Sequence, residues 1–133
     1  MKIQFILIAL LALTIWSCKT IEENPLVGKE SKELTETQFN YDTVFVSGDT
    51  LVAVVTYSGG CGAHEFKLES NGPMLKSMPP KQPLRIVHRS DGDPCRAHLK
   101  ETYKFCIEDY RGIPNGTMVL MLENWNPNLR YSY

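Results

Sequence analysis

The chain has little net charge of either sign. Its 14 Lys and Arg residues are nearly balanced by 15 Asp and Glu residues, which leaves a formal net charge of -1 at pH 7. Proteins that bind nucleic acid neutralise phosphates with clustered basic residues, and this composition offers no such excess. We therefore expect no nucleic-acid partner.

The chain also lacks an apolar run long enough to span a membrane as a stable helix. Its longest run, residues 3–15, falls short of the roughly 20 apolar residues that a membrane span needs. A short apolar run that follows a basic residue, here Lys2, is typical of a secretory signal peptide. The sequence thus predicts that residues 1–17 direct export and are then removed.

A cysteine lies directly after this apolar run. The segment Ile15-Trp16-Ser17-Cys18 resembles the lipobox, at which bacterial signal peptidase II cleaves before a lipid-modified cysteine. The alternative is an ordinary signal peptide with an incidental cysteine. By the resemblance, Cys18 carries lipid and holds the protein on a membrane, because two or more acyl chains anchor durably where one does not. We expect a lipoprotein of the bacterial cell envelope, with the outer membrane as its location.

Residues 18–38 have few side chains that could form a core. After Cys18 this segment has no aromatic residue and few apolar ones, so it cannot bury enough surface to order itself. We predict a flexible tether, and twenty such residues would reach about 25 Å.

From residue 39 onward, short runs rich in Val, Ile, Leu, Phe and Tyr alternate with turns rich in Gly, Pro, Asn and Asp. No run shows convincing helical periodicity. The predicted strands are 42–47, 50–58, 63–69, 83–89, 97–108, 117–123 and 129–133. About seven short strands in residues 39–133 are typical of one all-β domain, an antiparallel β-sandwich, with a small β-barrel as the alternative.

Strand alternation directs two histidines toward the apolar side. His64 and His88 fall on the same parity as apolar neighbours in their runs. Each lies near a turn that carries a cysteine, Cys61 or Cys95. If the two strands pair, the four groups meet at one end of the domain.

The first interpretation of this cluster is a disulfide between Cys61 and Cys95. An exported protein folds in an oxidising compartment, where disulfides form and persist. Closing a loop of about 35 residues would contribute roughly 3.5 to 4 kcal/mol by the loop-entropy estimate. Cys106 faces outward by the same alternation, and we expect it to be the unpaired cysteine.

Two other interpretations remain open. Cys61, His64, His88 and Cys95 could supply the four ligands of a tetrahedral zinc site, or could bind copper. This excludes the disulfide, because disulfide sulfurs are poor ligands. A nucleophilic Cys61 activated by His64 is the third interpretation, although no orienting residue or oxyanion hole can be named for it. Taken alone, a histidine near a strand end more often packs and makes one hydrogen bond.

Acidic residues near the second cysteine have a simpler explanation. Asp91, Asp93 and Glu101 could suggest calcium, yet their spacing differs from that of a calcium-binding loop. We interpret Asp91 and Asp93 as turn residues.

Three segments together resemble a group of small bacterial lipoproteins for which no activity is established. The segments are residues 57–66, which read Tyr-Ser-Gly-Gly-Cys-Gly-Ala-His-Glu-Phe, residues 88–95, which run from His88 to Cys95, and residues 101–105. Members carry Ser-Gly-Gly-Cys-x-x-His-x-Phe and a later His with an Asp-x-Cys turn. The resemblance implies that the two cysteines and the two histidines act as one unit.

These observations favour a lipid-anchored binding or structural module without enzymatic activity. Its expected partners are the membrane, through Cys18, and an unidentified protein or small-molecule ligand. The alternative function is metal binding in the envelope.

Overall fold

A computed structural model describes residues 33–112 and 116–133 of the chain. These residues form eight strands: β1 (Thr35–Glu36), β2 (Asn40–Ser47), β3 (Thr50–Gly59), β4 (His64–Ser70), β5 (Lys81–Ser90), β6 (Ala97–Cys106), β7 (Thr117–Leu122) and β8 (Leu129–Ser132). One 3-10 turn lies at Glu108–Tyr110. None of the helical turns in the described ranges is long and apolar enough to cross a membrane.

The strands form two sheets. The smaller sheet has the order β2-β3-β6. In the five-stranded sheet β5 is central: β4 pairs along one edge, while β1 and β7 share the other edge, and β8 follows β7. The two sheets do not close into a barrel over the described residues, which confirms the predicted sandwich and excludes the barrel alternative.

All seven predicted strands are present, as β2 to β8. Two features differ from the sequence expectation. The β5–β7 pairing is parallel, whereas the other pairings in both sheets are antiparallel. In addition, β1 lies in the segment predicted as tether, where Thr35 pairs with Ser90 and Glu36 with Arg89. The tether prediction is therefore wrong for these residues, while residues 18–32 and the signal peptide lie outside the described ranges.

The core lies between the inner faces of the two sheets. Alternation sets this pattern, because every second side chain of a strand faces the opposite sheet. Leu51, Ala53 and Val55 of β3 are each fully buried, and Leu84 of β5 and Leu120 of β7 meet them from the larger sheet. The charged side chains of β4, and Lys100 and Lys104 of β6, occupy the alternate positions and face outward.

Two of the connections between the sheets lie beside each other at one end of the sandwich. Residues 60–63 lead from β3 to β4, and residues 91–96 lead from β5 to β6. The residues that flank the two loops pair with each other. Gly59, before the first loop, pairs with Ala97, after the second, and His64, after the first loop, pairs with Ser90, before the second. We call residues 60–63 and 91–96 the crossing loops.

A polar network closes the opposite end. The Tyr131 hydroxyl donates to the Asp49 carboxylate at 2.6 Å and accepts from Arg111 Nε at 3.0 Å. Arg111 also forms an ion pair with Asp49. Tyr131 has no exposed surface, so this network links β8 to the β2–β3 turn and to the segment after β6.

Candidate functional site

A disulfide joins the two crossing loops. Cys61 and Cys95 are bonded through their sulfurs, with their Cα atoms 5.7 Å apart. Cys106 is a free thiol at the end of β6 and is partly exposed. The predicted pairing and the predicted unpaired cysteine are both confirmed, whereas Cys18 lies outside the described residues.

The two histidines of the predicted cluster touch each other. His64 begins β4 and His88 lies near the end of β5, where Phe66 pairs with His88 and His64 with Ser90. This diagonal relation brings His64 Nδ1 to 2.9 Å from His88 Nε2. His88 is only 2% exposed, so the pair is part of the interior.

Asp93 links the histidine pair to the crossing loops. Its Oδ2 atom accepts hydrogen bonds from the backbone N–H groups of residues 60–62, at 2.7, 2.9 and 2.9 Å. The same oxygen lies 2.9 Å from His64 Nε2. Oδ1 accepts from the Cys95 backbone N–H at 2.7 Å. One carboxylate, whose side chain is 2% exposed, therefore holds both loops and one imidazole.

These contacts hold the pKa of Asp93 well below its usual range. The largest contribution comes from the backbone N–H of Cys61, followed by the hydrogen bond with His64, and the N–H groups of Gly62 and Cys95 add to them. Hydrogen bonds to the ionised form stabilise the charge. Asp93 is therefore a carboxylate near neutral pH and can only accept hydrogen bonds.

This fixed acceptor determines the tautomers of the two histidines. Because Asp93 cannot donate, His64 Nε2 carries a proton and donates to it, and in a neutral imidazole Nδ1 is then an acceptor. His88 Nε2 then donates to His64 Nδ1. His88 Nδ1 is left as an acceptor for the Thr37 hydroxyl, at 3.0 Å. In this arrangement the four side chains form a directed chain of hydrogen bonds.

Burial supports the neutral form of His88. It lowers the pKa of His88, chiefly because desolvation disfavours the imidazolium ion, and the neighbouring His64 adds to the effect. The Gln38 carbonyl, 3.4 Å from His88 Nδ1, acts in the opposite direction.

Aromatic rings enclose the histidine pair. The Tyr57 ring lies 4.8 Å from the His64 ring and 4.9 Å from the His88 ring, measured between centroids. Phe66 stacks on His88 at 4.2 Å and on Tyr103 at 4.3 Å. The imidazoles are thus packed on their faces and hydrogen-bonded at their edges.

The cluster fits beside the end of β3 only because the last residue of that strand, Gly59, has no side chain. A Cβ atom on Gly59 would lie 2.5 Å from His64 Nε2 and 2.9 Å from an Asp93 carboxylate oxygen. Both groups are fixed by several bonds, so neither can easily move. A side chain at residue 59 would therefore separate the imidazole from its acceptor.

The predicted residues are all brought together, but their roles differ from two of the sequence interpretations. The sulfurs of Cys61 and Cys95 are bonded to each other and are not free as ligands or nucleophiles in this form. The facing nitrogens of His64 and His88 are bonded to each other. In this structure each cysteine is bonded to the other cysteine, and each histidine is hydrogen-bonded to the other histidine.

Sequence reasoning missed Asp93 and Thr37 as members of the cluster. Asp93 was interpreted as a turn residue, and it does form a local turn by accepting from the N–H two residues later. The Asp-x-Cys spacing is the signal that could have indicated more, because it places a carboxylate beside the disulfide. Asp91 accepts from the Ala63 N–H of the other crossing loop, at 3.2 Å, so it also joins the two loops and is more than the turn residue that was predicted.

No protein-family model, curated protein or solved structure matches this chain. The function must therefore be inferred from the arrangement of its own residues.

Proposed function

We propose that this protein is a lipid-anchored module of the bacterial cell envelope that binds a partner or supports structure without catalysing a reaction. The non-enzymatic part of the proposal depends on one observation: the polar atoms of the cluster bond to one another. The reactive atoms of Cys61, His64 and Asp93 are each bonded to another group of the cluster.

Catalysis would need a free group at this site. A nucleophile acts through an unbonded thiolate or hydroxyl beside a base that can accept its proton. Here the sulfur of Cys61 is oxidised, and His64 Nε2 donates to a carboxylate. The cluster favours a rigid support that fixes the two crossing loops relative to the sheets.

The anchoring part of the proposal has its support in the N-terminal sequence. The short apolar run, the lipobox-like Ile15-Trp16-Ser17-Cys18 and the polar segment that follows are the features of a lipoprotein precursor. The first described strand, β1, adds that the chain enters the domain beside the end of β5. The described part of the chain therefore begins at the disulfide-bonded end of the sandwich.

Metabolic labelling with a fatty acid tests the anchoring. The chain is produced in a bacterium, and we expect label on the protein and its recovery with membranes. Cys18→Ser should abolish the labelling, whereas Cys106→Ser, a matched change at a free cysteine, should leave it intact. Labelling that survives Cys18→Ser would contradict the proposal.

Thiol counting on the exported protein tests the proposed structural role of the cysteines. Without reductant, we expect one alkylatable thiol in the folded domain, Cys106, and a mass two hydrogens below that of the reduced chain. If protein isolated from the envelope has three alkylatable thiols, Cys61 and Cys95 are not disulfide-bonded in the cell, and the proposed structural role is contradicted. Metal content measured on the same sample would then identify the alternative, a zinc or copper protein.

A further inference from the structure

The disulfide lies beside two further groups with ligand chemistry. One potential ligand atom from each of Cys61, Asp93 and Cys95 lies within 4.8 Å of the other two. His64 Nε2 is 2.9 Å from Asp93 Oδ2. Two sulfurs and one carboxylate oxygen are thus gathered between the crossing loops, and an imidazole nitrogen adjoins the same carboxylate.

This cluster is held in place by more than the disulfide. The pairs Gly59 with Ala97 and His64 with Ser90 fix where each crossing loop leaves its sheet. Asp93 also bonds the backbone of residues 60–62. Both loops therefore keep their positions when the sulfur–sulfur bond is broken.

Reduction would place three acidic groups together. A dithiol reductant transfers two electrons and two protons to the disulfide, becomes a disulfide itself, and leaves Cys61 and Cys95 as thiols. Both thiols then adjoin the Asp93 carboxylate, and zinc accepts two thiolates, an imidazole and a carboxylate in tetrahedral coordination.

We propose that the reduced protein binds one zinc ion through the thiolates of Cys61 and Cys95, the Nε2 atom of His64 and a carboxylate oxygen of Asp93. Binding releases the two thiol protons. The disulfide and the zinc ion are then mutually exclusive ways of joining the same two crossing loops. Each loop contributes a pair of ligands at short spacing, Cys61-x-x-His64 and Asp93-x-Cys95.

This set differs from the one that the sequence predicted, because Asp93 replaces His88. His88 contacts the Nδ1 atom of His64, whereas the Nε2 atom of His64 faces Asp93. When His64 Nε2 binds zinc, its proton moves to Nδ1 and is donated to His88 Nε2. His88 then carries its own proton on Nδ1, facing the Thr37 hydroxyl and the Gln38 carbonyl, which can both accept it. His88 is therefore a positioning residue that orients a ligand, a common arrangement at zinc sites.

Cobalt absorption tests the site. The full-length chain is purified in detergent with Cys18→Ser and Cys106→Ser, so that only Cys61 and Cys95 provide thiols, and Co²⁺ is titrated before and after reduction. We expect one Co²⁺ per reduced chain, with thiolate-to-cobalt charge transfer and the visible bands of tetrahedral cobalt, displaced by Zn²⁺. The oxidised chain should show neither. Absence of these bands after reduction, or equal binding by the oxidised chain, overturns the proposal.

Single substitutions identify the ligands. His64→Gln and Asp93→Asn should each weaken Zn²⁺ affinity by more than about tenfold and change the cobalt spectrum. His88→Gln should weaken binding but keep the tetrahedral spectrum, and the exposed His98→Gln should change nothing. If Asp93→Asn keeps the spectrum while His88→Gln loses it, the proposed ligand set is wrong. Thermal unfolding of each reduced variant with and without Zn²⁺ provides the second readout: zinc should raise the melting temperature of the reduced parent chain and of His98→Gln, and an unchanged temperature contradicts the site.

Discussion

His64 and His88 share a hydrogen bond of 2.9 Å between Nδ1 and Nε2, although 24 residues separate them in sequence. The bond joins β4 to β5 through side chains, beside the backbone pairing of the same strands. It also connects two other parts of the molecule, because Asp93 lies at one end of the pair and Thr37 at the other. A change at the crossing loops should therefore alter the contacts of Thr37, which directly follows β1.

Asp93 should contribute more to stability than Asp91. Asp93→Asn replaces an ionised acceptor of several N–H groups by a neutral amide whose NH₂ group would face those donors. Asp91→Asn keeps an amide oxygen that can still accept its one longer bond, from the Ala63 N–H. We expect Asp93→Asn to lower the melting temperature of the oxidised protein by more than about 4 °C, and Asp91→Asn to have a smaller effect. Equal melting temperatures for the two variants would contradict this role of Asp93.

Loss of the disulfide should destabilise the oxidised protein. Cys61 and Cys95 are 34 residues apart, and a loop of that length corresponds to about 3 to 4 kcal/mol in the chain-entropy estimate. The double variant Cys61→Ser, Cys95→Ser should lose free energy of unfolding on that scale in urea denaturation without metal. Cys106→Ser is the matched control and should unfold as the parent does. A double variant as stable as the parent would show that the disulfide does not stabilise the folded domain.

Acid should weaken the oxidised fold through His88. Its pKa is lowered from the ordinary 6.5 by burial, so the unfolded chain takes up a proton that the folded chain does not. The free energy of unfolding is retained above the unfolded pKa and falls as the pH drops from there toward the folded pKa, by no more than about 1.4 kcal/mol per pH unit for one proton. Urea denaturation of the parent and His88→Gln between about pH 5 and 8 measures this. The variant should lack this component, and identical pH profiles would argue against it.

The core of the sandwich should tolerate truncation far less than its surface. Leu51 of β3 is fully buried, whereas Leu75 in the β4–β5 connection is 44% exposed. Leu51→Ala should cost about 2 to 5 kcal/mol of unfolding free energy, because it removes apolar contacts and leaves a cavity. Leu75→Ala is the same chemical change and should stay within about 0.5 kcal/mol of the parent. Similar losses at both positions would mean that Leu75 is buried in solution.

The strands and much of the cluster could be predicted from sequence because their causes are local. Turn residues delimit the runs, and alternation decides which side chains face inward, so the inward direction of His64 and His88 followed from their positions alone. The disulfide followed from export and from the small number of cysteines. The free thiol of Cys106 followed in the same way.

The features that could not be predicted depend on distant contacts. Thr35 and Glu36 lie in a polar segment without strand periodicity, and only the exposed edge of β5 makes them a strand. The parallel pairing of β5 with β7 depends on the path of the chain through the other sheet. Asp93 has the composition of a turn residue, and its role at the centre of the cluster arises because two crossing loops meet beside it.

The pairing of β1 with β5 has a consequence for the order in which the molecule assembles. Thr35 finds its partner only at Ser90, 55 residues later. A ribosome makes the chain from its N-terminus, so residues 33–38 are made before β2, β3 and β4. They have no partner strand until β5 is synthesised. β1, the first of the described strands to be made, therefore docks late, and its pairing is completed only once the fifth strand has appeared.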